Sequence, residues 1–147
     1  MVGLVSCEQE NNSHEAHEQN EHTETHHEKK DVLNNDWISK IELDNGSKWQ
    51  ANPETTTGVV AMQTLINQRT EKTPEDYKKL AQSLVNEQNK LIDACSMKGA
   101  SHDNLHHFLH PLIEKIAYLK KVNSIEEGLK TTKSIKENLD AYHTYFK

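Results

Sequence analysis

The sequence predicts an all-α protein, an up-down-up-down four-helix bundle preceded by a short β-hairpin. Three observations predict it. Apolar residues make up only 33% of the 147 residues and are almost absent between positions 8 and 31, so they are concentrated where a core can form. From Pro53 onward they recur three and four residues apart in four successive segments, the period of amphipathic helices. Each segment opens on a helix-start signal, and the joints between segments are short, as antiparallel neighbours in a bundle require.

Order is expected to begin near Asp36. Trp37, Ser39, Ile41 and Leu43 alternate with Ile38, Lys40 and Glu42, the period of a half-buried strand, and Asp44-Asn45-Gly46 supplies a turn. A three-residue loop with Gly46 in the left-handed region sets Ile41 opposite Trp49 and Leu43 opposite Ser47. A tighter Asn45-Gly46 turn would set Ile41 against Gln50, so apolar matching prefers the longer loop. Two strands alone are marginal in water, and both tryptophans are therefore expected to cap a larger body.

The first helix is expected over 53–70. Asn52 caps it, Pro53 takes its first position, and Val59, Met62, Leu65 and Ile66 form its stripe, although Gly58 weakens the early turns. Thr73-Pro74-Glu75-Asp76 is a stronger start for the second helix, over 73–97, with Tyr77, Leu80, Ala81, Leu84, Gln88, Leu91, Ile92 and Cys95 on one face. Gly99 reads as the chain turn after it. Ser101 reads as the cap of the third helix, over 101–122, whose apolar face carries Leu105, Phe108, Leu109, Leu112, Ile113, Ile116 and Leu119. Pro111 falls inside this helix and removes the amide that would bond the His107 carbonyl, so a kink or a split is expected there. Ser124-Ile125-Glu126-Glu127 is a capping box for the fourth helix, over 124–146.

Charge divides the chain in two. Residues 1–31 hold eight acids against two lysines, a net charge of −6, whereas 32–147 hold fifteen of each sign. No basic stripe is interleaved with aromatics, which leaves nucleic-acid binding without its electrostatic footprint. No run of eighteen apolar residues exists to cross a membrane as a helix. The stretch from Glu8 to Asp31 is too polar to offset the entropy of ordering its backbone, and it reads as a disordered tether ahead of a domain spanning 32–147. Five of the ten histidines lie on it: His14, His17, His22, His26 and His27. Short His-rich tracts bind metal, so these are secondary candidate ligands.

The main candidate site spans the joint between the second and third helices, Cys95-Ser96-Met97-Lys98-Gly99-Ala100-Ser101-His102, continuing to His106, His107 and His110. Residues three or four apart stack along a helix, so His102, His106 and His110 form a ladder with His107 beside it. His102 is expected nearest the core and His110 nearest solvent. Eight residues rise about 12 Å, whereas a bound imidazole nitrogen stands about 2 Å from its ion. One ion therefore cannot use both ends. His102 and His106 are assigned to a site with Cys95 and Met97, and His106 or His107 with His110 to a weaker, exposed pair. Two sulfur and two nitrogen ligands suit copper; zinc is the alternative, for which methionine adds little.

Leu4-Val5-Ser6-Cys7 resembles the lipobox of bacterial lipoprotein signal peptides, in which cleavage precedes the cysteine and the cysteine is lipidated. Met1 to Ser6 supplies only the last part of an apolar stretch of roughly 7–15 residues. The resemblance therefore implies a true start further upstream or a trimmed leader. The C-x-M-K-G-x-x-H-D-x-L-H-x-x-L-x-P run from Cys95 to Pro111 and the hairpin ahead of it are similar to small bacterial envelope lipoproteins of no settled activity. That resemblance implies a periplasmic or outer-membrane protein, held at the membrane only through a lipid on Cys7. Cys95 is then left without an intramolecular disulfide partner.

No serine sits in a nucleophile turn and no glycine-rich loop cradles phosphate, so a carrier or buffer is expected in place of an enzyme. A metal-free bundle that recognises another envelope protein is the alternative. A b-type haem held by Met62 and His143, the axial positions of four-helix cytochromes, is a weaker one.

Overall fold

Capping chemistry decides where the helices start. The computed structural model describes residues 32–147, in which four α-helices follow a short 3-10 turn at Asp36–Ser39: α1 Pro53–Asn67, α2 Pro74–Ala94, α3 Gly99–Leu119 and α4 Ile125–Tyr145. The α2 start is a complete capping box, in which the Asp76 amide donates to the Thr73 hydroxyl and the Asp76 carboxylate accepts from the Thr73 amide. At α4 the box is displaced by one residue. Ser124 Oγ accepts from the Glu127 amide, but the Glu127 carboxylate accepts from the amide of Asn123.

The helices run up, down, up and down. Gly58, early in α1, lies against Leu91, late in α2. Thr56 and Tyr142 share a hydrogen bond of 2.9 Å that joins the start of α1 to the end of α4. Asn138 Nδ2 donates to the Phe108 carbonyl and Lys115 Nζ to the Ser134 carbonyl, which sets α3 antiparallel to α4. Across the diagonal, Tyr77 of α2 packs on Gly128 of α4, so these two helices start at the same end.

The core between them is largely aliphatic. Val59, Met62, Leu84, Leu91, Leu105, Leu112, Ile116, Leu119, Ile135 and Leu139 are all fully enclosed. Phe108, Tyr142 and Phe146 form an aromatic cluster at one end, with Tyr142 and Phe146 stacked at 5.0 Å and Phe108 at 5.3 Å from Tyr142.

Several expectations are corrected in detail. No β-strand ladder forms among the described residues. Trp37 lies in the 3-10 turn, where its ring meets Phe108 edge-on at 6.0 Å. Asn45 and Gly46 both take positive φ, 50° and 87°, and Asp44 and Ser47 exchange both backbone hydrogen bonds, so the turn is the tight two-residue form. The expected strand pairing of Ile41 with Trp49 does not form: the Trp49 indole donates to the Glu42 carbonyl at 2.7 Å, but its backbone is engaged elsewhere. Its amide donates to the Tyr145 carbonyl and its carbonyl accepts from the Lys147 amide, a parallel bridge to the C-terminus.

Helix α2 stops at Ala94, three residues short of the sequence expectation. Helix α3 begins at Gly99, with Lys98 in the cap position and Ser101 inside the first turn, its hydroxyl donating to the Lys98 carbonyl. Pro111 does not split α3, which is continuous from Gly99 to Leu119. His107, whose carbonyl loses its donor to the proline, is exposed, so water is an available partner for it.

Candidate metal site

The four-residue link between α2 and α3 sets the site. Cys95 terminates α2 in an extended conformation (φ −65°, ψ 122°), its amide donating to the Ile92 carbonyl. Cys95 and Met97 are both half-buried and pack against the hydrophobic core. Asn104, one turn into α3, ties the helix to the N-terminal segment: its Oδ1 accepts from the Glu42 amide at 2.8 Å and its Nδ2 donates to the Ala100 carbonyl.

The histidine ladder stands on this helix. The rings of His102 and His106 have centroids 4.2 Å apart, tilted by 52°, and those of His106 and His110 are 5.1 Å apart and nearly perpendicular. His102 is half-buried, and its Nδ1 is enclosed with no hydrogen-bond partner. His106, His107 and His110 are exposed. Although His106 is exposed, the packed ladder removes some water from its ring and holds its pKa below the usual histidine value, and the neighbouring His102 and His110 push it further down. An imidazole that resists protonation keeps a lone pair free for a metal ion.

The structure brings the ladder together but does not close a full ligand set. Among the described residues, no three His, Cys, Asp or Glu side chains stand where one ion would reach them all. Two adjacent imidazoles are what is already assembled. Cys95 lies close enough to Tyr142 that a thiolate there would add to the upward shift in the tyrosine's pKa, which comes first from burial.

His14, His17, His22, His26, His27 and Cys7 lie outside the described residues. Of the two residues considered for haem, Met62 is fully enclosed among core side chains, whereas His143 is exposed, its Nε2 3.1 Å from Gln63 Oε1.

One chemically loaded residue escaped the sequence reading. Lys115 is 0% exposed and its pKa is pushed down to about 8 by burial, against a smaller upward pull from Glu137. Its position carried a signal, since Phe108, Leu112, Lys115 and Leu119 share one helical row. Asn138 stands in the same relation to Ile135 and Tyr142 on α4.

No protein-family model matches the chain, and no curated protein or solved structure shows a significant similarity to it. None of the described helices is long and apolar enough to cross a membrane.

Proposed function

We propose that this protein binds and carries or buffers a transition-metal ion, copper in the first place and zinc as the alternative, without turning over a substrate. The observation that carries the reading is the adjacent His102–His106 pair, with ring centroids 4.2 Å apart, His102 half-buried and His106 exposed. Two imidazoles one helical turn apart can chelate one ion, and the lowered proton affinity of His106 favours metal over proton at its ring.

Cys95 and Met97 are the proposed sulfur ligands. They sit on the non-helical link that leads directly into the ladder, where a change in a few backbone angles moves a side chain without disturbing either helix. His110, with His106 or His107, forms a weaker outer pair. The five tether histidines would gather ions at lower affinity, and a lipid on Cys7 would hold the protein at the bacterial envelope membrane.

Copper(I) and zinc titrations of the full chain test this, run beside a variant in which His14, His17, His22, His26 and His27 are replaced by Asn. Stoichiometric binding is expected to survive in that variant, to disappear when His102→Ala and His106→Ala are added, and to persist with His143→Ala. Loss of affinity for copper(I) but not for zinc in Met97→Leu would assign the thioether. Weak binding that is equal in all variants would overturn the site and favour a metal-free interaction module. A Soret band on adding haem, lost in Met62→Ala, would favour the cytochrome-like alternative. Lipid mass on Cys7 in protein expressed behind its natural upstream codons tests the anchor.

A further inference from the structure

The N-terminal segment 33–41 is bonded to both α3 and α4, and one of its attachments is to an enclosed amine. That amine, Lys115 Nζ, donates to Asn35 Oδ1 at 2.7 Å, to Asn138 Oδ1 at 3.0 Å and to the Ser134 carbonyl at 3.4 Å. An ammonium has three hydrogens, and here they meet three acceptors. Two belong to α4. The third, and the nearest, belongs to the segment.

Asn35 is the segment's hub. Its Oδ1 also accepts from Trp37 Nε1 at 3.2 Å, and its Nδ2 donates to Glu137 Oε2 at 2.8 Å. Ser134, whose carbonyl faces the amine, uses its hydroxyl to bond the Leu33 carbonyl at 2.7 Å. The apolar part of the attachment is Trp37 and Ile41, both buried in the core, whereas Ile38 and Leu43 are exposed.

We infer that Lys115 is a latch that fastens residues 33–37 over the α3–α4 groove, and that opening it uncovers the lysine amine and the floor around Phe108 while the four helices stay folded. The physical reason is shared satisfaction. Lifting the segment removes the shortest of three bonds from an enclosed amine, and the amine then needs water, which only a displaced segment admits. Closing the segment and pairing the amine are thus one event. A nine-residue segment outside the four helices, docked by these bonds and by Trp37 and Ile41, is the kind of element that opens locally before the helices do.

The test is amine acylation of the full chain, followed residue by residue by mass spectrometry, with helical circular dichroism recorded on the same samples. In the unmodified chain Lys115 is expected to be protected relative to the exposed lysines. In Asn35→Ala, which removes the segment's acceptor and leaves both α4 acceptors, it is expected to label about tenfold faster or more, with the helical signal unchanged. Lys115→Met gives a second reading. In a Trp49→Phe background, with Trp37 as the sole tryptophan, its emission is expected to move to the red and acrylamide quenching to rise. Continued protection of Lys115 in Asn35→Ala, or of Trp37 in Lys115→Met, would overturn the latch. So would labelling that rises only together with loss of the helical signal, because Lys115 would then be a core residue of the bundle.

Discussion

Gly128 and Gly58 are both places where a side chain on another helix occupies the space of a missing Cβ. A Cβ on Gly128 would overlap the Tyr77 ring, and one on Gly58 would stand 2.9 Å from Leu91 Cβ. Alanine improves helix propensity by about 1 kcal/mol over glycine, while overpacking a core costs about 1–3 kcal/mol. At Gly128 the neighbour is a fully buried ring with nowhere to move, so overpacking wins. Urea denaturation is expected to show Gly128→Ala destabilised by about 2 kcal/mol, and Gly58→Ala by distinctly less, because its conflict is slighter and the propensity gain offsets more of it.

Lys115 makes a second prediction at this scale. Its folded pKa, about 8, lies below the ordinary lysine value of 10.5, so between those values the unfolded chain binds more protons than the folded one. Stability linked to this residue therefore rises with pH across that window. Raising the pH from 7.5 to 9.5 is expected to favour the unmodified chain over Lys115→Met by on the order of 1–2 kcal/mol, read from paired urea midpoints. An unchanged difference would mean that the amine is hydrated in the folded state.

At the scale of one element, α3 lines three imidazoles along one face from its first turn onward. His102 lies in its first turn, near the positive end of the helix dipole, and His106 and His110 follow with ring centroids 4.2 Å and 5.1 Å apart in succession. The His106 pKa is depressed first by burial and then by these two neighbours, with a smaller opposing pull from Asp103. A group depressed in this way contributes stability that is present above the unfolded value of about 6.5 and is lost as the pH falls below it, through the folded value. The melting temperature is expected to drop between pH 7 and pH 5, and to drop less in His106→Gln. Saturating zinc should shift that loss to lower pH if the ladder holds the ion, since metal and proton compete for the same lone pairs.

For the whole molecule, closure of the chain matters as much as the helices. The last residues return to the segment before α1: Ala51 donates to the Lys147 carbonyl, Trp49 and Lys147 are paired, and the buried Phe146 stacks on Tyr142. Phe146→Ala removes an enclosed ring from a cluster shared by α3, α4 and the N-terminal segment. Its expected cost is about 3 kcal/mol, seen as a fall in denaturation midpoint together with greater solvent quenching of Trp37. An effect below about 1 kcal/mol would mean that the C-terminus frays without consequence.

Four helices, their order and most of their starts were legible in the sequence because they rest on local physics. Thr73 with Asp76 and Ser124 with Glu127 satisfy amides three residues away, and a stripe such as Leu105, Leu112 and Leu119 needs only the helical period to be seen. The histidine ladder was legible for the same reason, since residues four apart on one helix meet whatever the rest of the chain does. What local spacing could not decide was everything that depends on which distant partner arrives first. Trp49 had a plausible strand partner nearby, but residues 145–147, nearly a hundred positions away, take its backbone bonds. Lys115 acquires its chemistry only from Asn35, Ser134 and Asn138 around it, two of them on another helix and one on the segment ahead of the bundle. Propensity and capping act over a single turn and are written in neighbouring residues, whereas burial and long-range hydrogen bonding arise only when the elements pack, and the tertiary structure decided those.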